Sequence, residues 1–341
     1  MTTCKTIISK PARARGKRLV YGFLGGLALF TAVALFTGCG KKQEQDEGKN
    51  EKKQEQDEGK NEKKQEQTEY EKGTAALEKG DRDAAFQCFE KGAVSDARAK
   101  LMLSMCYAFS IGVEGNEEKT IQLLEEAAGA GDEYAMFLYG LGQISQGERE
   151  KGISYLKKSA DKGCVLAIFT QVNLALIDGD FSNYVPNLER IANMPLTDRK
   201  SPFDYLPELK ETVKRGLNLG LKLGASEGKR AHDSGETFDA FLQGAGEKVG
   251  NAISDGQSGI EELESGLDSE FDDLDVEEII KPTNPTIENI LIVQAQVSLG
   301  CVYAEGSENL GIKRDKAKAR EWFKKAGENG FTEADVVLKD L

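Results

Sequence analysis

The chain has 341 residues, 30% of them charged, with a formal net charge of -13, six cysteines and a single histidine. Lys5, Lys10, Arg13, Arg15, Lys17 and Arg18 precede residue 39 and no acid does, so the remainder carries a net charge of -19. A body this acidic repels phosphate backbones, which argues against nucleic acid as a partner, and the lack of any Cys-x-x-Cys pair argues against a zinc site.

Residues 19–36, LVYGFLGGLALFTAVALF, carry no charge and follow the basic stretch. Thr37-Gly38-Cys39-Gly40 comes next. A basic region, an apolar region and small residues before a cleavage point make a secretory signal. Thr37, Gly38 and Cys39 resemble the last three positions of a bacterial lipobox, Leu-(Ala/Ser/Thr)-(Gly/Ala)-Cys. Phe36 stands where that family has leucine, with Leu35 one place earlier. The resemblance implies that residues 1–38 are a signal peptide and that Cys39 is lipidated. It places the protein on a membrane of the bacterial cell envelope. Gly40 in place of Asp favours the outer membrane or a periplasm-facing site. The other reading is an uncleaved membrane helix, at the lower limit of length for about 30 Å of hydrocarbon. No twin-arginine pair is present, so general secretion is the expected route.

Residues 39–68 form a spacer. KKQEQDEGKNE at 41–51 recurs letter for letter at 52–62, and a third copy starts at Lys63 and diverges at Thr68. The copies hold no apolar seam, and Gly48, Asn50, Gly59 and Asn61 weaken a lone helix. Such a composition buries too little surface to offset ordering entropy, so a disordered tether is expected, reaching ~30 Å at ~5–6 Å × √n. Neutral expansion of a short repeat is the alternative origin.

Helical periodicity starts near Tyr70, and residues 69–194 hold a repeat. Its clearest copy lies at the other end of the chain, 290–341. That copy reads Ala295-x3-Leu299-Gly300-x2-Tyr303-x2-Gly306, then a loop through Gly311-Ile312, then Asp315, Lys318-Ala319-x2-Trp322-Phe323-x-Lys325-Ala326-x3-Gly330-x3-Ala334. Earlier second halves are Ala84-Ala85-x2-Cys88-Phe89, Lys119-Thr120-x2-Leu123-Leu124, Lys151-Gly152-x2-Tyr155-Leu156 and, fainter, Leu188-x-Arg190-Ile191-Ala192. Phe89, Leu124, Leu156 and Leu188 are separated by 35, 32 and 32 residues, the period of a helical solenoid. First halves recur as Ala99-x3-Leu103-Ser104-x2-Tyr107 and Ala135-x3-Tyr139-Gly140. Small residues on one helix admit the partner helix. The large pairs Leu123-Leu124, Tyr155-Leu156 and Trp322-Phe323 are expected to fill the space between units, with Ala326 facing the same core. The Gly that follows should end each second helix in a left-handed cap.

This pattern resembles the Sel1-like repeat family, relatives of the tetratricopeptide repeat. The resemblance implies an all-α, right-handed superhelical solenoid of helix–turn–helix repeats. It implies a non-catalytic scaffold that binds a protein partner on its concave face. Disulfide-rich secreted members pair two cysteines within a repeat; here each repeat holds at most one, so Cys88, Cys106, Cys164 and Cys301 are read as small buried hydrophobes.

Residues 195–289 read differently. Pro195, Pro202 and Pro207 break the helical pattern. Beyond them lies room for about three degenerate units or an insertion of another kind. Gly216, Gly220, Gly224 and Gly228 interleave with Leu217, Leu219, Leu221 and Leu223. The run reads as a self-association face or, by its echo of Leu299-Gly300-x2-Tyr303, as a repeat's first helix; Lys214, Arg215 and Lys222 argue against membrane insertion. Residues 268–278, DSEFDDLDVEE, lack the Gly and Glu of a calcium loop and read as a solvated acidic loop. His232 has no motif partner, and no nucleotide loop or hydrolase elbow is present. No catalytic residue, metal or cofactor is therefore expected. The expected function is a membrane-anchored scaffold for protein–protein interaction. The alternative is an envelope structural or peptidoglycan-associated lipoprotein with a distinct activity in residues 195–290.

Overall fold

A computed structural model describes residues 67–254, 256–267 and 275–341. The signal segment, Cys39, the spacer and residues 268–274 lie outside the described residues. Those described form two compact units, divided between Ala130 and Gly131.

The first unit holds two helical hairpins: α1 (Glu69–Glu78) with α2 (Arg82–Gly92), and α3 (Ala97–Phe109) with α4 (Glu117–Gly129). Each helix starts on a side chain that accepts from an otherwise orphaned backbone N–H: Thr68, Asp81, Asp96 and Asn116. Thr68 and Glu71 complete a reciprocal capping box. Gly73 sits under the Phe89 ring, where a Cβ would come within 2.4 Å of a ring carbon, so glycine alone allows the helices this close. Ala85, Phe89, Ala99, Leu101 and Met102 are fully buried between them.

The second unit begins with α5 (Glu133–Ser145), α6 (Arg149–Asp161) and α7 (Val165–Asp178). A short 3-10 turn (Phe181–Asn183) leads to α8 (Tyr184–Ala192). Gly131, Gly163 and Gly330 follow second helices with φ of 95°, 94° and 113°, a left-handed conformation that ends a helix without Cβ strain. Gly140 of α5 and Gly152 of α6 meet backbone to backbone; a Cβ on Gly152 would lie 2.5 Å from the Gly140 carbonyl oxygen.

A second 3-10 turn (Pro202–Tyr205) opens the middle of the chain, followed by α9 (Pro207–Ser234), α10 (Phe238–Ser254), α11 (Gly256–Gly266) and α12 (Val276–Ile279). Helix α9 runs for 28 residues and α10 for 17, against 13 in each of α3, α4, α5 and α6. The Leu-Gly echo near residue 220 thus lies inside one long helix, not in a repeat-length first helix. Nothing in the sequence stops it sooner: Gly216 and Gly220 are tolerated because Leu217, Leu221 and Leu223 bury around them.

The chain closes with α13 (Ile287–Glu305), α14 (Lys316–Glu328) and α15 (Ala334–Asp340). Helix α13 packs on α14, α8 and α7. Gln296 Nε2 donates to the Ala192 carbonyl at 3.0 Å, and Lys325 Nζ donates to the same oxygen at 2.8 Å. The last hairpin therefore stacks directly on α7–α8, although some ninety residues of chain lie between. Helix α13 is long and apolar enough to cross a membrane, but 94% of it is buried inside the protein, as expected of a core helix.

Candidate interaction surface

The repeats share a built-in clamp. In α3–α4, Lys119 Nζ donates to the Tyr107 hydroxyl at 3.1 Å and lies 4.7 Å from its ring centroid. In α5–α6, Lys151 does the same to Tyr139 at 3.1 and 5.3 Å. In α13–α14, Lys318 bonds the Tyr303 hydroxyl and sits 4.0 Å from the ring centroid. The tyrosine comes from the second half of the first helix and the lysine from the first turn of the second. Together they tie each of these three hairpins beside its connecting loop. In the last repeat the Tyr303 hydroxyl also donates to Glu189 Oε1 of α8 at 3.0 Å, and Lys318 Nζ lies 3.4 Å from that oxygen. Burial raises the Tyr303 phenol, and the bond to Tyr303 raises the Lys318 ammonium. The lysines stand in the repeat pattern, but their offset from tyrosine is 12 residues in two hairpins and 15 in the last, so spacing alone did not mark the pair.

The residues singled out from sequence divide by depth. Leu156, Leu299 and Ala326 are fully buried, and Phe323, Leu103, Tyr303 and Tyr107 nearly so. Gly300 is buried beneath Phe323, where a Cβ would come within 2.7 Å of the ring. Leu123, Leu124, Tyr155 and Trp322 are half-buried. Trp322 was expected in the core. Adjacent helical positions are 100° apart, so Phe323 takes the core and Trp322 the flank, where Lys325 Nζ lies 5.0 Å from its ring. Tyr155 likewise packs edge-on against Tyr139 at 4.8 Å and carries Lys158 at 4.8 Å from its ring. Of the cysteines, Cys106, Cys164 and Cys301 are buried and Cys88 is half-buried. Burial pushes the Cys106 and Cys164 thiols up to about 12.

A polar junction that periodicity does not reveal lies at the start of α13. The Tyr134 hydroxyl of α5 donates to Glu288 Oε1 at 2.6 Å, and both residues are buried. Burial raises the Glu288 carboxyl and the Tyr134 phenol. Arg199 Nη2 donates to Glu133 Oε1 at 3.1 Å nearby. Asp204 Oδ1 accepts from the Ile287 N–H at 2.9 Å, and Thr286 caps the helix through the Asn289 N–H. Asn289 Nδ2 bonds the carbonyls of Thr197 and Asn284, each at 2.8 Å. These bonds hold residues 197–204 against the root of α13.

Antiparallel helical hairpins in which the second helix of one packs on the first helix of the next, three of them clamped by Tyr and Lys, define an all-α helical-repeat solenoid protein. The Sel1 repeat profile matches residues 69–93, 97–132, 134–164 and 293–331. The chain is a Sel1 repeat protein, of a family whose members serve generally as non-catalytic scaffolds suited to protein–protein interaction. Among solved structures, the chain is similar to a Sel1 repeat protein from Oxalobacter formigenes at 17% identity, covering 80% of this chain and 87% of that one with a TM-score of 0.34. It is also similar to c5321, a protective antigen present in uropathogenic Escherichia coli strains that displays an SLR fold. That match is 17% identical and covers 79% of this chain and 56% of that one, with a TM-score of 0.29. No curated protein matches the chain.

Proposed function

We propose that the chain is a lipid-anchored scaffold of the bacterial cell envelope that presents its Sel1 repeats to a protein partner. Cys39 carries the lipid, residues 41–68 act as the tether, and the partner docks on the surface formed by the first helices of the repeats. The supporting observation is the join between an uncharged stretch ending in Thr37-Gly38-Cys39 and a body of stacked Sel1 repeats. Several acyl chains would hold such a body firmly, at ~0.8 kcal/mol per buried CH₂. The test is fractionation with and without an inhibitor of the lipoprotein signal peptidase, together with Cys39→Ala. Accumulation of a precursor and release of the C39A protein from membranes are expected. Unchanged fractionation of C39A would overturn the anchor. Capture by the full chain of one protein at fixed stoichiometry supports the scaffold role, and capture of none counts against it.

A further inference from the structure

Residues 198–283 leave the repeat stack at Thr197 and return to it at Asn284, with Ile279 and Lys281 also bonded to the Thr332 N–H and the Gly330 carbonyl at 3.0 and 2.8 Å. The Thr197 carbonyl accepts from Asn284 Nδ2 at 3.2 Å and from Asn289 Nδ2 at 2.8 Å, while the Thr197 N–H donates to Asn289 Oδ1 at 3.0 Å. Helix α13 already lies on α8, so the stack has no need of the segment for continuity. The segment instead covers first helices. Phe203 packs edge-on against Tyr134 and Phe137 of α5, at 6.1 and 6.0 Å between ring centroids. Helix α10 crosses the last turn of α7 so closely that a Cβ on Gly246 would lie 2.5 Å from the Leu176 carbonyl oxygen. At the start of α10, Asp239 accepts from Ser307 Oγ and from the Glu308 N–H, in the loop that follows α13. Helix α10 packs on α7, α9 and α11; it buries Phe241, Leu242, Ala245, Val249 and Ala252, and Gly246 and Gly250 lie against Leu176 and Ile177 of α7. This is an amphipathic helix whose small residues let another backbone come close.

We propose that the first-helix surface of residues 131–341 is a docking surface for an amphipathic helix, and that α10 is its intramolecular occupant. The external partner it fits has the chemistry of α10: an apolar face broken by small residues and a carboxylate at the N-terminal end to accept from the Ser307 hydroxyl and the Glu308 amide. The proposal rests on the scaffold reading and adds to it the class of partner and a control on access. A tethered occupant acts at an effective concentration on the order of 1 mM. If α10 itself has a Kd of about 10 µM for the bare surface, any external helix competing for it loses about a hundredfold against the intact chain.

The experiment titrates a labelled peptide spanning residues 236–254 into the full chain and into full-chain Gly246→Leu, whose side chain cannot fit over the Leu176 carbonyl. G246L should bind the peptide at least about tenfold more tightly than the native chain, with faster amide exchange over residues 165–178. A peptide carrying Phe241→Asp and Leu242→Asp should not bind. Equal affinity for both chains overturns the proposal, as does no binding to G246L once exchange shows α7 uncovered. Where G246L leaves α7 protected, a chain lacking residues 198–283, with the ends joined through two glycines, decides. Peptide binding to it supports the proposal; a folded product that binds nothing overturns it. An excised chain that cannot fold overturns it too, because the segment is then core and not occupant. Capture of a protein by the full chain alongside failure of the peptide would leave the scaffold reading standing and remove this surface from it.

Discussion

Gly300→Ala isolates the packing rule of the repeat. The ideal Cβ at Gly300 would lie 2.7, 2.8 and 2.8 Å from three carbons of the Phe323 ring. Phe323 is 1% exposed, so its ring has nowhere to retreat. Overpacking of this kind costs about 1–3 kcal/mol, while alanine in a helix interior gains about 1 kcal/mol over glycine. The expected net loss is about 0–2 kcal/mol, at roughly 2–4 °C in Tm per kcal/mol for a unit of this size. The decisive step is to repeat G300A in a Phe323→Leu background. There the ring edge is gone and alanine should turn stabilising by about 0.5–1 kcal/mol through helix propensity alone. The coupling energy is then about 2 kcal/mol, well above the 0.3–0.5 kcal/mol scatter of independent sites. Urea unfolding followed through Trp322, the chain's one tryptophan, reads the same hairpin. Equal cost of G300A in both backgrounds would refute the steric argument.

Further expectations follow from the clamps, the buried polar groups and the thiols. Removing either side of the Tyr303–Lys318 pair, as Tyr303→Phe or Lys318→Met, should destabilise the C-terminal hairpin, with a double-mutant coupling of about 0.5–1 kcal/mol; additivity of the two changes would dismiss the clamp. Glu288 is held above its ordinary value of 4.5 by burial among Tyr134, Glu133, Asp204 and Arg199, so the folded state binds its proton more tightly than the unfolded state. Its protonated form is favoured at low pH, and the cost of ionising it grows as pH rises above 4.5. Glu288→Gln should match the native protein in acid and exceed it in Tm at neutral pH, and parallel stability–pH curves would contradict this. Maleimide at pH 8 should label half-buried Cys88 in the native chain while sparing Cys106 and Cys164, whose thiols burial pushes up to about 12; mapped labelling of Cys164 ahead of Cys88 would reverse the burial argument.

Much of this fold was legible because a repeat writes the same local physics several times. The 32-residue spacing of Leu124, Leu156 and Leu188 reports a helix pair, and Gly131, Gly163 and Gly330 report where each second helix must stop. Depth within a pair was less legible. Trp322-Phe323 reads as two core residues, but a helix turns 100° between them and only one can face inward. The Tyr–Lys clamp was present as letters and absent as a contact, since lysine in a first turn usually reads as solvated surface. The Tyr134–Glu288 bond joins residues 154 apart, and no period connects them.

The largest gap concerned residues 195–289, and it has a specific cause. Periodicity along the chain tests whether the next unit follows in sequence; stacking asks only which unit follows in space. Helix α13 satisfies the second condition without the first, because Thr197, Asn284 and Asn289 bring the two ends of the intervening segment to one point. The same three residues also explain why the last repeat keeps the strongest signature. A hairpin docked after a long excursion gains no help from loop closure, which becomes costlier as the loop lengthens. It must hold α8 through its own contacts: Gln296 and Lys325 on the Ala192 carbonyl, Tyr303 and Lys318 on Glu189. Asn289→Ala should therefore loosen the excursion and the docking together, since its side chain bonds both the Thr197 and Asn284 carbonyls. Losing those two bonds at a partly buried site costs about 1–3 kcal/mol. Amide exchange should then rise both over residues 197–204 and over the first turns of α13; a rise confined to one of them would mean that the two are held independently.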